Sequence, residues 1–232
     1  MIGKGKSISH GVAALEYDLA KEIDGQAAAT EIARHELYGC TGAEMVQEMK
    51  PYFTDFPNVK NNCLRFEVSP SIEESSSFTD TDWAELGNDF MQRMGLMNHQ
   101  YIIIKHSGTE SKKKQAHLHI LANRISLSGE LYRDNWIGKR ATEAANAIAK
   151  ERDFVQSQDI GKANKAEIKE AMNEVLKKLQ GFDLAKFQEE LGKLGFKVRE
   201  ARASTGKLNG YYVTARSGTE YKASEIGKGY TL

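Results

Sequence analysis

The chain has 232 residues, 40% hydrophobic and 28% charged, with no formal net charge, enough to bury a core as one domain or one domain with an appendage. No apolar run approaches the roughly 18–20 residues of a membrane span, the N-terminus shows no signal-peptide pattern, and Cys40 and Cys63 are too few for a disulfide scaffold, so a cytoplasmic protein without membrane insertion is expected. Charge is unevenly placed, with eight Lys and Arg against sixteen Asp and Glu over residues 1–100, and 24 against 16 over 101–232, a distribution that permits a basic face.

Apolar residues at Val12, Leu15, Leu19 and Ile23 recur at spacings of three and four, which predicts a helix over 9–23. Residues 26–38 and 43–53 read as two more short helices, separated by Gly39 and Gly42. Residues 64–69 alternate like a strand and end at Pro70, and 71–77 read as a polar loop. Thr79, Asp80 and Thr81 offer caps for a helix whose buried stripe is Trp83, Leu86, Phe90 and Met94, stopped by Gly95. A buried strand over 101–105, a lysine-rich loop and a second strand over 117–125 follow, then a helix over 141–152. Beyond about residue 160 two Lys/Glu-rich helices (166–180 and 183–194) lead into a β-meander over 195–203, 208–216 and 219–223. The expected organisation is a main domain over 1–160 and a smaller α+β unit over 165–232.

The stretch that carries chemistry is 101–125. It sets His106 at the end of one strand, and His117 and His119 on the next. Side chains alternate along a strand, so His117, His119, Leu121 and Asn123 share one face while Leu118, Ile120 and Ala122 take the other. Paired strands lie about 4.8 Å apart, which brings His106 beside the other two histidines if the strands are neighbours. A His-X-His pair alone is a common strand-surface feature; the third imidazole is what points to a divalent metal. Three neutral imidazole donors suit a catalytic ion with open positions better than a structural one, which usually closes a fourth ligand.

The run His106…His117-Leu118-His119-Ile120-Leu121-Ala122-Asn123-Arg124 resembles the metal motif of the HUH endonucleases, and more narrowly that of the mobilisation relaxases of plasmids and conjugative elements. The approach from Trp83 to Leu86 and from Asn98 to Lys105 is similar to that family's helix and strand before its first histidine. Gly5-Lys6-Ser7…Ala14-Leu15-Glu16-Tyr17 resembles its first motif, and residues 221–227 resemble sequence further along some relaxases. One departure is visible: many members carry an Asp two residues after the first histidine, where this chain has Gly108.

The resemblance implies an α+β fold with a central antiparallel sheet flanked by helices, and a relaxase that nicks one DNA strand at an origin of transfer. It implies Tyr17 as nucleophile, forming a 5′-phosphotyrosyl link that later allows rejoining, and His106, His117 and His119 as ligands of Mg²⁺ or Mn²⁺. Single-stranded DNA, an accessory nicking protein and a coupling ATPase are the implied partners. Asn123 shares the ligand face and can orient a histidine or touch phosphate. Glu67, on the preceding strand, can hold an imidazole in its ligating tautomer. Lys112, Lys113, Lys114, Arg124, Arg133, Lys139 and Arg140 crowd around the site in sequence and can track a DNA backbone. Rival readings are a rolling-circle replication initiator, whose nucleophile would be Tyr211 or Tyr212, a non-catalytic DNA- or metal-binding module, and a hydrolase of small phosphoesters.

Overall fold

The computed structural model describes every residue except 24, 109–114, 180 and 232. Its first compact unit, Met1–Ser157, begins with β1 (Ile2–Ile8), α1 (Gly11–Leu19), two short strands β2 (Glu22–Ile23) and β3 (Gln26–Ala27), and β4 (Ala29–His35). There follow α2 (Gly42–Met49) with a 3₁₀ turn, β5 (Cys63–Ser69), α3 (Ile72–Ser75), α4 (Asp80–Met94), β6 (His99–His106), β7 (His117–Ser126) and α5 (Ile137–Glu151). Five strands form one sheet in the order β1-β5-β7-β6-β4, each neighbouring pair antiparallel. This is the α+β class, with the central antiparallel sheet and flanking helices that the sequence leads one to expect.

Strand alternation divides the sheet into two buried faces. Phe66, Tyr101, Ile103, Leu118, Ile120 and Ala122 pack beneath α4 and α5 through Trp83, Leu86, Phe90, Ala141 and Ala145. Ile8, Cys63, Ile102, Ile104 and Leu121 pack beneath α1 and α2 through Leu15, Met45, Val46 and Met49. Each fully buried large side chain contributes on the order of 1.5–3 kcal/mol, which is what fixes strand register here. The helices stop where local chemistry stops them: Thr79 and Asp82 form a capping box on α4, and Gly95 ends it at φ 72°.

The two glycines of β1 allow α5 to lie against it. A Cβ on Gly3 would stand 2.4 Å from the Ala141 carbonyl oxygen and 2.6 Å from Ala145 Cβ. Gly3→Val is therefore expected to cost about 1–3 kcal/mol of stability, read as a lower urea midpoint. An unchanged midpoint would mean that α5 yields freely.

Several local expectations are corrected. Residues 26–38 form no helix; they supply β3 and the edge strand β4. The Ala- and Glu-rich composition favours a helix locally, but the exposed edge of β6 leaves backbone donors and acceptors that β4 satisfies. The pairing is reinforced by the Ser107 amide on the Ala28 carbonyl at 2.8 Å. Helix α1 ends at Leu19 and Ile23 belongs to a small hairpin. The polar segment after Pro70 includes one helical turn, capped by Ser71 and Glu74. Helix α5 starts at Ile137, before residue 141, and β1 was not foreseen at all.

The second compact unit spans Gln158–Leu232. It holds most of α6 (Ser157–Lys178), then α7 (Leu184–Lys193) and the meander β8 (Lys197–Arg202), β9 (Leu208–Thr214) and β10 (Glu220–Lys222), followed by α8 (Ala223–Ile226). Its own core gathers Ile168, Met172, Phe187, Leu191, Phe196, Tyr211 and Val213. Among the described residues no helix is long and apolar enough to cross a membrane.

Candidate metal and nucleophile site

Strands β6 and β7 pair with His106 directly opposite His117. His119, two residues on, shares that face, and one ring nitrogen from each of the three histidines lies within 4.8 Å of the others. The second nitrogen of two rings is already engaged. His117 Nδ1 faces the Gln115 carbonyl oxygen at 3.0 Å, and His106 Nε2 faces the Asp18 backbone carbonyl at 2.7 Å. A carbonyl can only accept, so both nitrogens carry the proton, leaving His117 Nε2 and His106 Nδ1 as lone pairs. Three converging imidazoles, two of them fixed by outer contacts, form a donor set that fits a divalent transition ion.

For His119 and His106 the electrostatics favour the neutral ring. Burial pushes His119 down to about 2, assisted by the neighbouring imidazoles, Arg65 and Lys21. Burial also lowers His106, and His99 elsewhere in the sheet. Below the ordinary histidine value of about 6.5 the unfolded chain takes up protons that these folded rings refuse. Stability of the metal-free protein is thus complete above neutrality and falls as pH drops through about 6. Burial raises Asp18, which acts in the opposite direction but lower, in the carboxylate range. Urea midpoints in EDTA at pH 7.5 and pH 5.5 check this; equal midpoints would contradict it.

Helix α1 presents Tyr17 to the same cleft, a space of about 500 Å³ lined by Tyr17, Lys21, Lys4, Glu67 and the three histidines. Leu15 and Asp18 face inward at 0% and 1% exposure, which turns Tyr17 outward at 59%. Lys21, one turn later, donates to the Tyr17 hydroxyl oxygen at 3.2 Å. The helix is tied to its neighbours by the Ala43 amide on Glu16 at 2.9 Å and by Arg65 on the Asp18 carboxylate.

Residues 17–154, more than half of the chain, match the family model for the MobA/VirD2-like relaxase, nuclease domain. The chain belongs to this relaxase family. It is accordingly a site-specific DNA-nicking enzyme, and the matched span contains Tyr17 and all three histidines. No curated protein matches it. A solved structure of the conjugative relaxase TrwC in complex with oriT DNA, metal-bound, is similar at 12% identity and a TM-score of 0.37, covering 89% of this chain and 74% of that one.

Other residues expected at the site of this relaxase are distributed differently. Glu67 lies opposite His119 in register, but its carboxylate takes Lys4 at 2.9 Å. Asn123 is fully buried, four residues beyond His119, bonded to Gln100 Oε1 at 2.9 Å and the Ile125 amide at 2.9 Å; it touches neither the triad nor a surface where phosphate could reach it. Arg124 is bound to Asp134, Asn61 and Tyr132, about 17 Å along β7 from His119 at the usual strand rise. Arg140 lies over the Tyr132 ring at 4.6 Å, while Arg133 and Lys139 are exposed or nearly so around the start of α5. Lys112, Lys113 and Lys114 fall outside the described residues.

Among the described residues the cations that line the cleft are Lys4 and Lys21, and Lys6 and Arg65 line an adjoining pocket that shares Lys4, Glu67 and His119 with it; none of the four is among the residues expected from sequence. Two signals could have found them. Lys21 follows Tyr17 at helical spacing i+4, and Arg65 alternates onto the same strand face as Glu67.

Proposed function

We propose that this relaxase cuts single-stranded DNA at an origin of transfer by attack of Tyr17 on a phosphodiester held at His106, His117 and His119. The observation that carries the reading is the single cleft in which an exposed tyrosine and three converging imidazoles meet. A bound divalent ion, Mg²⁺ or Mn²⁺, would supply charge neutralisation at the non-bridging oxygens as the transition state forms. Tyr17 Oη attacks phosphorus and the 3′ oxygen departs, leaving a 5′-phosphotyrosyl bond; the same residue returns the phosphate when a 3′ hydroxyl comes back, so rejoining needs no ATP. Lys21, already donating to that oxygen, stabilises the negative charge that the hydroxyl develops as its proton leaves. Lys4 and Lys6 stand where the entering strand's phosphates can pair with them. Arg133, Lys139 and the exposed ring of Trp136 offer a second stretch on which bases can stack and phosphates pair.

The replication-initiator reading draws no support from its tyrosines. Tyr211 is buried, donates to the Tyr230 carbonyl at 2.6 Å and is pushed up to about 12 by burial. Tyr212 lies under the Arg199 guanidinium at 4.2 Å. The test is a denaturing gel of the protein with labelled single strands tiled across the DNA flanking its gene, with Mn²⁺ and with EDTA. A protein-linked, Mn²⁺-dependent band supports the reading. Binding everywhere with no cut or captured strand would leave only a DNA-binding module.

A further inference from the structure

Reading the triad as a metal centre leaves one buried carboxylate without a part to play. Asp18, next to Tyr17 on α1, is 1% exposed and reaches the triad twice. Its backbone carbonyl accepts from His106 Nε2 at 2.7 Å. Its carboxylate, held by Arg65 through Nε at 3.1 Å and through a second guanidinium nitrogen, lies 3.7 Å from His119 Nδ1.

His119 has a choice of tautomer that the other two rings lack. His117 and His106 each have one proton fixed on a carbonyl oxygen. His119 Nε2 lies 3.0 Å from His117 Nε2, whose lone pair calls for a donor. His119 Nδ1 lies 3.3 Å from an Arg65 nitrogen, which calls for an acceptor. Without a cation, both contacts are met when His119 carries its proton on Nε2. A cation between the rings requires the Nε2 lone pairs of His117 and His119 together, so that proton must leave.

We propose that Asp18 is the positioning residue for this change: on divalent-metal binding His119 gives up its Nε2 proton to solvent and takes one on Nδ1, where the Asp18 carboxylate accepts it. One proton leaves and one arrives, so the ring stays neutral throughout. Arg65 keeps its two contacts with Asp18, and its contact with Nδ1 is the one relinquished. Closing the 3.7 Å gap draws α1 towards the triad, so a loaded metal site and a seated Tyr17 come together. The inference rests on the triad holding a divalent ion.

The test uses the full chain, ¹⁵N-labelled on histidine, in EDTA and with diamagnetic Zn²⁺, alongside Mn²⁺ titrations of wild type and Asp18→Asn. Expected are an Nε2–H signature for His119 in EDTA, an Nδ1–H signature with Zn²⁺, and Mn²⁺ affinity about 10–100-fold weaker in Asp18→Asn. A purely structural Asp18 would lower the urea midpoint in EDTA and leave the tautomer alone. An unchanged tautomer on loading, or equal Mn²⁺ affinity in the variant, overturns the proposal and leaves the metal site standing. Wild type that binds neither cation overturns the metal site and the proposal with it. Should Asp18→Asn fail to fold, the wild-type spectra decide the question alone.

Discussion

Tyr17→Phe is expected to remove the protein-linked DNA band altogether, a loss of at least about a thousandfold in the rate of strand capture. The substitution deletes one oxygen from a side chain that is 59% exposed, so folding, Mn²⁺ affinity and single-strand binding should stay close to wild type. That combination separates a lost nucleophile from a damaged site. Lys21→Met provides the graded comparison: it removes the cation at 3.2 Å from the same oxygen and should slow capture about tenfold without abolishing it. Capture that persists in Tyr17→Phe would place the nucleophile elsewhere and remove the reason for assigning Lys21 any part.

The second large effect concerns the triad. Replacing His117 and His119 together by Gln removes two of three imidazole donors, and Mn²⁺ affinity should fall by at least about a hundredfold, with strand cutting falling about as far. Gln keeps most of the side-chain volume, and both positions lie at the start of β7 with neither residue fully buried, so the sheet should survive. Single substitutions should fall short of the double, because two remaining imidazoles can still hold an ion weakly. The readouts are Mn²⁺ titration and the denaturing gel. A double variant that binds Mn²⁺ like wild type would show that the metal, if any, sits elsewhere.

Much of this site was legible because it depends on short-range rules. The period of two along 117–125 put His117 and His119 on one face; that β6 and β7 are neighbours was a condition of the reading, and the pairing of His106 with His117 meets it. Tyr17 came through family likeness, and helical spacing correctly turned it away from Leu15. What stayed hidden depends on contacts between distant segments. Strand β1 reads poorly because Gly3 and Gly5 weaken any strand signal, and their value lies in how closely α5 approaches. Strand β4 has helix-forming residues and is decided by the open edge of β6. The basic residues near the triad in sequence, Arg124 and Arg140, are engaged with their own surroundings. Among the described residues, the cations that line the cleft and its adjoining pocket come from β1, β5 and the segment just after α1, far apart in the chain. Asp18 leaves no mark on the sequence, because a lone acid beside a tyrosine carries no pattern, whereas its burial against Arg65 and two histidines does.

Helix α1 is nine residues long and is held at three points along its length: Leu15 in the core, Glu16 on the Ala43 amide and Asp18 on Arg65. A strand covalently joined to Tyr17 would make that helix a mooring. Tension along the DNA would enter at one exposed ring and pass within one residue to Glu16 and Asp18, and through Arg65 into β5, an interior strand of the sheet. A short, multiply anchored helix resists such a pull better than a loop, whose few contacts would peel away one at a time.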